Sequence, residues 1–223
     1  MLRRLRRRAG GLSRFVYSSG ELQMYVIDPA PYRSLPARDE FHRNDPDAIR
    51  LYRPTESGDL SIDRFAQVFR RRLAAGHTVF TVHLGDTLTH YRWLSRAGHT
   101  YVDETTNIEY RFPGRTRVTF DVCTHPSARR GGLQARGIEC ALRDAALDGV
   151  ALVHSFVEHD NHRTMRSVAR FQFSYVGSVW STRILGRLSR RASLPAGYEA
   201  CSGGALIAPA RVTRRPPTER SLS

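Results

Sequence analysis

The stretch from Arg117 to Phe173 limits what this chain can fold into more than any other. It begins with an apolar, β-branched run, Val118 to Thr124 (VTFDVCT), which reads as a strand. The sequence His-Pro-Ser-Ala-Arg-Arg-Gly-Gly-Leu-Gln follows, and then an amphipathic helix ending near Gly149, with Ile138, Ala141, Leu142 and Ala145 as its apolar stripe. A second apolar strand covers Ala151 to Val157, and Asp160-Asn161 opens a further helix to about Phe171. Strand, glycine-bearing turn, helix and strand make a βαβ unit. Such a turn leaves backbone N–H groups at a helix N-terminus free to bind an anion, so it reads as a phosphate cradle. A Gly-Gly pair alone would also serve as a plain strand-to-helix turn.

Pro126, Arg129, Gly132 and Leu133, with Asn161, Thr164, Arg170 and Phe173 further on, resemble two segments of the GNAT acyltransferases. These are Pro-x-x-Arg-Gly-x-Gly-Leu and Asn-x-x-Ser…Lys-x-Gly-Phe. The motifs cover about a quarter of the chain, and the order of predicted elements extends the likeness to most of the rest. Three positions depart from the pattern: Arg130 and Gln172 stand where glycines are expected, and Gln134 stands at the third small position of the loop.

The resemblance implies an α/β (α+β) fold with a mixed, mostly antiparallel sheet of six or seven strands and helices on both faces. It implies acetyl-CoA or another acyl-CoA as co-substrate, no metal, and transfer of the acyl group to the amine of a small molecule. The N–H groups of Arg130, Gly131, Gly132, Leu133 and Gln134 would meet the CoA diphosphate, with Arg129 or Arg130 adding an ion pair. The pantetheine arm would lie along Val122, Cys123 and Thr124, with Asn161 bonding it from the far side of two splayed strands and Thr164 beside it. Cys123 has no surrounding Cys–His–Asp pattern and reads as a structural thiol.

Direct transfer needs a neutral amine and is helped by an acid at the departing thiolate. Many relatives place a tyrosine seven residues after the asparagine, where this chain has Val168. Tyr175, Ser167, Thr164 or a water could substitute. Candidate bases are Glu158, His159, Asp160, Asp121 and His90, with Glu158 favoured and Asp160 well placed as a helix cap. His90 resembles a histidine in bacterial GNAT proteins linked with surface-polysaccharide or amino-sugar synthesis, so an amino sugar is one acceptor to consider.

Two rival readings stand beside this one, and charge bears on the first. All 35 basic residues are arginine and the net charge is +14, but residues 1–14 hold six of them and residues 209–223 hold four with Glu219. The tails thus supply +6 and +3, and the body only about +5. A nucleic-acid module driven by the tails ranks last, because no basic motif interleaved with aromatics accompanies them. A non-catalytic acyl-CoA-binding protein is the nearer alternative, given the altered glycines and the missing tyrosine. The N-terminal arginines would allow a weak contact with an anionic membrane, and a homodimer is compatible with the chain.

The remaining segments place the borders. Residues 1–20 read as a basic tail, 21–187 as the acyltransferase domain, and 188–223 as an Arg/Pro/Ser-rich tail. Leu22 to Asp28 reads as the first strand, Asp45-Pro46 as a short helix start, and Ser61 as the cap of a stronger helix stopped by Gly76. Thr78 to Leu84 and Leu88 to Leu94 form a hairpin around Gly85-Asp86, and Gly98 to Gly114 is a long connection or a second, weaker hairpin. No apolar run is long enough to span a membrane. Cys123, Cys140 and Cys201 form no disulfide or zinc pattern, which points to a reducing, cytoplasmic setting.

Overall fold

The computed structural model describes residues 17–56 and 59–210. In chain order its elements are β1 (Tyr17–Ile27), β2 (His42–Arg43), α1 (Ile62–Ala74), β3 (Thr78–Leu84), β4 (Thr87–Leu94), β5 (Gly98–Asp103) and β6 (Ile108–Thr124). They continue with α2 (Leu133–Leu147), β7 (Leu152–Glu158), α3 (His162–Arg170), β8 (Ser174–Ile184), β9 (Arg187–Ser193), β10 (Glu199–Ser202) and β11 (Ala205–Leu206). The main path of the sheet runs β2-β3-β4-β6-β7-β1-β8-β9, with β5 and β10 on β6 and β11 on β10. All pairings between named strands are antiparallel except β6–β7. The central βαβ unit supplies that single parallel pair.

Alternation along the strands sends side chains to two helical layers. Val79, Leu88 and Trp93 pack with Phe65 and Phe69 of α1. Phe80, Val82 and Leu94 pack instead with Leu133, Ile138 and Leu142 of α2 and Val168 of α3. Helices therefore cover both faces, as expected. Ser61 accepts from the Arg64 N–H as N-cap of α1, and Asp45 accepts from the Asp47 N–H ahead of a short 3-10 turn, so both predicted helix starts hold.

Eleven strands replace the expected six or seven. The extra strands come largely from two polar segments. Gly98 to Asp103 pairs with β6 as the weaker of the two hairpin readings, and residues 187–206 form β9, β10 and β11. Assigning 188–223 to a tail is therefore wrong as far as residue 210. The reason is visible in β9 (RLSRRAS), which is mostly exposed at the sheet edge and carries the charges that such edges tolerate. Residues 17–20, also assigned to a tail, pair with 181–184 of β8. The basic segments 1–16 and 211–223 lie outside the described residues.

β6 is 17 residues long and serves two layers. Its first part, Ile108 to Arg111, pairs with β5 and β10, and Tyr110 and Phe112 close with Tyr101, Met24 and Val179 into a second core. Its last part, from Thr116, pairs with β7 and β4. Between them, Phe112 to Arg115 have no register partner among the described strands.

Arg117 fixes α2 to this strand. Its side chain is buried, donating to Asp144 Oδ2 at 2.8 Å, Asp148 Oδ2 at 2.6 Å, Thr78 Oγ1 at 2.8 Å and Ser95 O at 2.6 Å. Burying a guanidinium is costly, and here two carboxylates offset the loss of water.

Candidate functional site

The β6–β7 ladder runs from Thr116↔Leu152 to Thr119↔Ser155 and stops. Beyond it β6 stays with β4, pairing Val122 with Arg92 and Thr124 with His90, while β7 stays with β1, pairing Glu158 with Leu22. The cause of the divergence lies at Asp121, which has no partner between Phe120 and Val122 and takes φ +40°. A bulge of this kind bends its strand and increases the local twist. Arg72 of α1 holds the Asp121 carboxylate while stacking on Trp93 and Phe120. A cleft of about 1430 Å³ opens between the strands, floored by residues 119–124 and walled by Ser155, Phe156, Glu158 and α3.

The predicted phosphate cradle lies on this cleft. A 3-10 turn at Pro126–Ala128 leads to Arg130 at φ +73° and Gly132 at φ +74°, the latter being the N-cap of α2. Ala135 and Arg136 donate to Gly132 O, whereas the N–H groups of residues 130–134 have no acceptor among the described residues. Five donors at a helix N-terminus, next to arginine side chains, make a fitting receptor for a diphosphate. Gly131 has Ala128 O 3.4 Å from where a Cβ would stand, so the turn is closely wound there. Arg130 adopts the conformation that the expected glycine would have supplied, at a cost of about 1–2 kcal/mol.

Neither a protein-family model nor a curated protein sequence matches the chain at a significant level. Solved structures do match. One from Novosphingobium aromaticivorans, assigned to the GNAT family as an acetyltransferase, is 14% identical with a TM-score of 0.50, over 74% of this chain and 63% of that one. The chain has the GNAT fold. A GNAT-family acetyltransferase from Colwellia psychrerythraea (9% identical, TM-score 0.48, 76% and 57% covered) also matches. So does a conserved protein of unknown function from Staphylococcus epidermidis (11%, 0.47, 75% and 62%). The chain spans less than two thirds of the length of each.

On this GNAT fold the predicted donor-site residues come together. Val122, Cys123 and Thr124, Arg129 and Arg130, Gly132 to Gln134, and Asn161 and Thr164 all line the cleft. Val122 to Thr124 are paired with β4, and among the described strands none pairs with them on the cleft side, where an extended ligand would lie along the strand. Asn161, rather than Asp160, caps α3: Oδ1 accepts from the Thr164 N–H and Nδ2 donates to Thr164 Oγ1 at 2.7 Å. Gln134 fills its wider position by donating to Ser167 Oγ at 3.2 Å. Gln172, the third departure, takes φ +55°.

Two of the three catalytic candidates do not reach the cleft. Tyr175 is exposed on β8, where its hydroxyl bonds Ser178 Oγ at 2.8 Å and its ring meets Tyr25, and it is absent from the cleft lining. A register shift between Met24 and Tyr25 sets the orientation, which spacing in sequence could not show. His90 is 1% exposed beneath α2, with Nδ1 on Thr124 Oγ1 at 2.9 Å and Phe41 edge-on. Burial and the nearby Arg92 and Arg136 push its pKa down to about 3, so it stays neutral. Glu158 remains, on the cleft at the end of β7.

Sequence reasoning missed several cleft residues. Arg163 and Arg166, with Arg170, line it from α3; their spacing along one helical stripe is the signal that would have found them. Tyr101 reaches the cleft from β5, and burial beside Asp103 raises its pKa well above the ordinary value, so its hydroxyl stays protonated. Its segment reads in sequence as a long connection or a weaker hairpin, with no site residue assigned to it. Arg92 lines the inner end.

Proposed function

We propose that this chain transfers an acyl group from an acyl-CoA to the amine of a small molecule. The observation that carries the reading is the row of five N–H groups at residues 130–134 that have no acceptor among the described residues, beside the cleft lined by the diverging β6 and β7. Arg129, Arg130, Arg163 and Arg166 add positive charge for the phosphates. The amine nitrogen attacks the thioester carbonyl, a C–N bond forms and the C–S bond breaks. Glu158 takes the amine proton, directly or through water, and the thiolate leaves and takes up a proton. Ser167 and Tyr101 are the hydroxyls placed to hydrogen-bond near the leaving group. Asp103, Asp121 and Glu158 make part of the lining acidic, which suits a cationic acceptor such as an amino sugar. A cytoplasmic setting suits both substrates.

A second reading, a non-catalytic acyl-CoA binder, is favoured by the burial of His90 and the position of Tyr175 off the cleft lining, which leave Glu158 as the one of these three catalytic candidates on the cleft. Calorimetry with acetyl-CoA and free CoA on the intact protein and on Gly132→Trp tests the site. Binding to the first and loss in the second supports it; no binding to either ends the acyl-CoA reading. Turnover on a panel of amines, lowered in Glu158→Gln, then supports the enzyme. Binding without turnover on any amine leaves the second reading.

A further inference from the structure

Arg92 is 4% exposed and lines the inner end of the cleft. Its single hydrogen bond among the described residues is from Nη1 to Thr119 Oγ1 at 2.8 Å, and Nε has no partner. No described carboxylate pairs with it. Around it lie the neutral His90 and the Cys140 thiol, and its Nε shares the space over Gly137 of α2 with His90 and Phe41. The contrast with Arg117 on the next strand is sharp, since that guanidinium has two carboxylates. A guanidinium is not readily deprotonated, so a buried one calls for an anion.

The position of Arg92 says which anion. Thr119 is the last β6 residue in the β6–β7 ladder, so the Arg92–Thr119 pair stands at the apex of the diverging strands. Thr124, next to the cradle turn, is five residues further on, about 17 Å along the strand. An extended pantetheine arm covers such a span, so a thioester held by the cradle brings its acyl group to the apex. The phosphates stay at the other end, with their own arginines.

We infer that Arg92 recognises a carboxylate at the far end of the transferred acyl group, and that the donor is the CoA thioester of a dicarboxylic acid. This rests on the acyl-CoA reading above. Reaction with the amine forms the amide C–N bond, breaks the thioester C–S bond, moves one proton from nitrogen and returns one to the thiolate. The distal carboxylate passes unchanged into the product.

Calorimetry on the full chain with succinyl-CoA, butyryl-CoA and free CoA tests it, because the two thioesters match in carbon count and differ in charge. Succinyl-CoA is expected to bind about ten- to a hundredfold more tightly than butyryl-CoA. Arg92→Met should make the two affinities equal, and Thr119→Val, which only frees the guanidinium, should narrow the gap. Equal affinities in the intact protein, with free CoA bound, overturn this inference alone. Failure of the intact protein to bind all three overturns the acyl-CoA reading with it.

Discussion

Arg130 and Gln172, one before each end of the cleft motif, share left-handed backbone conformations at φ +73° and +55°. Both stand where the resembling family has glycine. The turn geometry is thus imposed by the surrounding βαβ unit and the docking of α3, and the side chains accept it at a cost.

Replacing either residue by glycine should stabilise the protein. The strain relieved is about 1–2 kcal/mol and the added chain entropy takes back part of it, leaving about 0.5–1 kcal/mol. The urea midpoint should rise with an unchanged slope. Arg130→Gly should at the same time weaken acetyl-CoA binding, since it removes a cation from the cradle, whereas Gln172→Gly should not.

Gly137 in α2 allows the helix to sit on the sheet. A Cβ there would stand 2.7 Å from His90 Nε2 and 3.4 Å from Phe41 Cε1. Gly137→Ala therefore loses about 1–3 kcal/mol despite the better helix propensity of alanine. The double variant with His90→Ala should recover part of that loss, and a double-mutant cycle by denaturation measures the coupling.

Acid should destabilise the fold before its carboxylates titrate. Burial holds His90 at about 3 and His154 at about 4 in the folded protein, against about 6.5 unfolded. The unfolded chain binds more protons between those values, so the contribution is complete above about pH 6.5 and declines as pH falls toward 4. His90 faces Arg92, Arg136 and Thr124, and His154 faces Thr116, Phe112 and Tyr198, so among the described residues neither has an acid to rescue its charge. Each histidine contributes up to about 1.4 kcal/mol per pH unit. Melting temperature against pH should show the decline, and His90→Asn should flatten it.

Asn161 combines a cap with a cleft position. Asn161→Ala should cost about 1 kcal/mol of stability by removing the cap. Asn161→Asp keeps the cap acceptor and loses the amide donor. If the amide also bonds the donor arm, this variant keeps its melting temperature and binds acetyl-CoA more weakly.

The central unit was legible because its signals are local. Alternating apolar residues, a Gly-Gly turn and an asparagine cap are each encoded within a few positions, and residues 118–173 follow the sequence reading closely. What was illegible depended on packing. Nothing around Tyr175 announces the register shift that turns it from the cleft, and His90 looks like any strand histidine until α2 is placed over it. The segments carrying Tyr101 and β9 lack a full apolar alternation because one of their faces meets water. Their strands form as hairpins against their chain neighbours β6 and β8.

The unpaired step from Phe112 to Arg115 gives β6 the geometry of a crank. One arm carries the floor of the cleft and the other carries Tyr110 and most of the ladder to β5, whose Gly98 also pairs with Thr116 across the elbow and whose Tyr101 overlooks the same space. Pro113 and Gly114 form the elbow, without a ladder bond to stiffen it. One continuous backbone thus joins the segment that holds Tyr110 against β5 to residues 119–124 on the floor of the cleft.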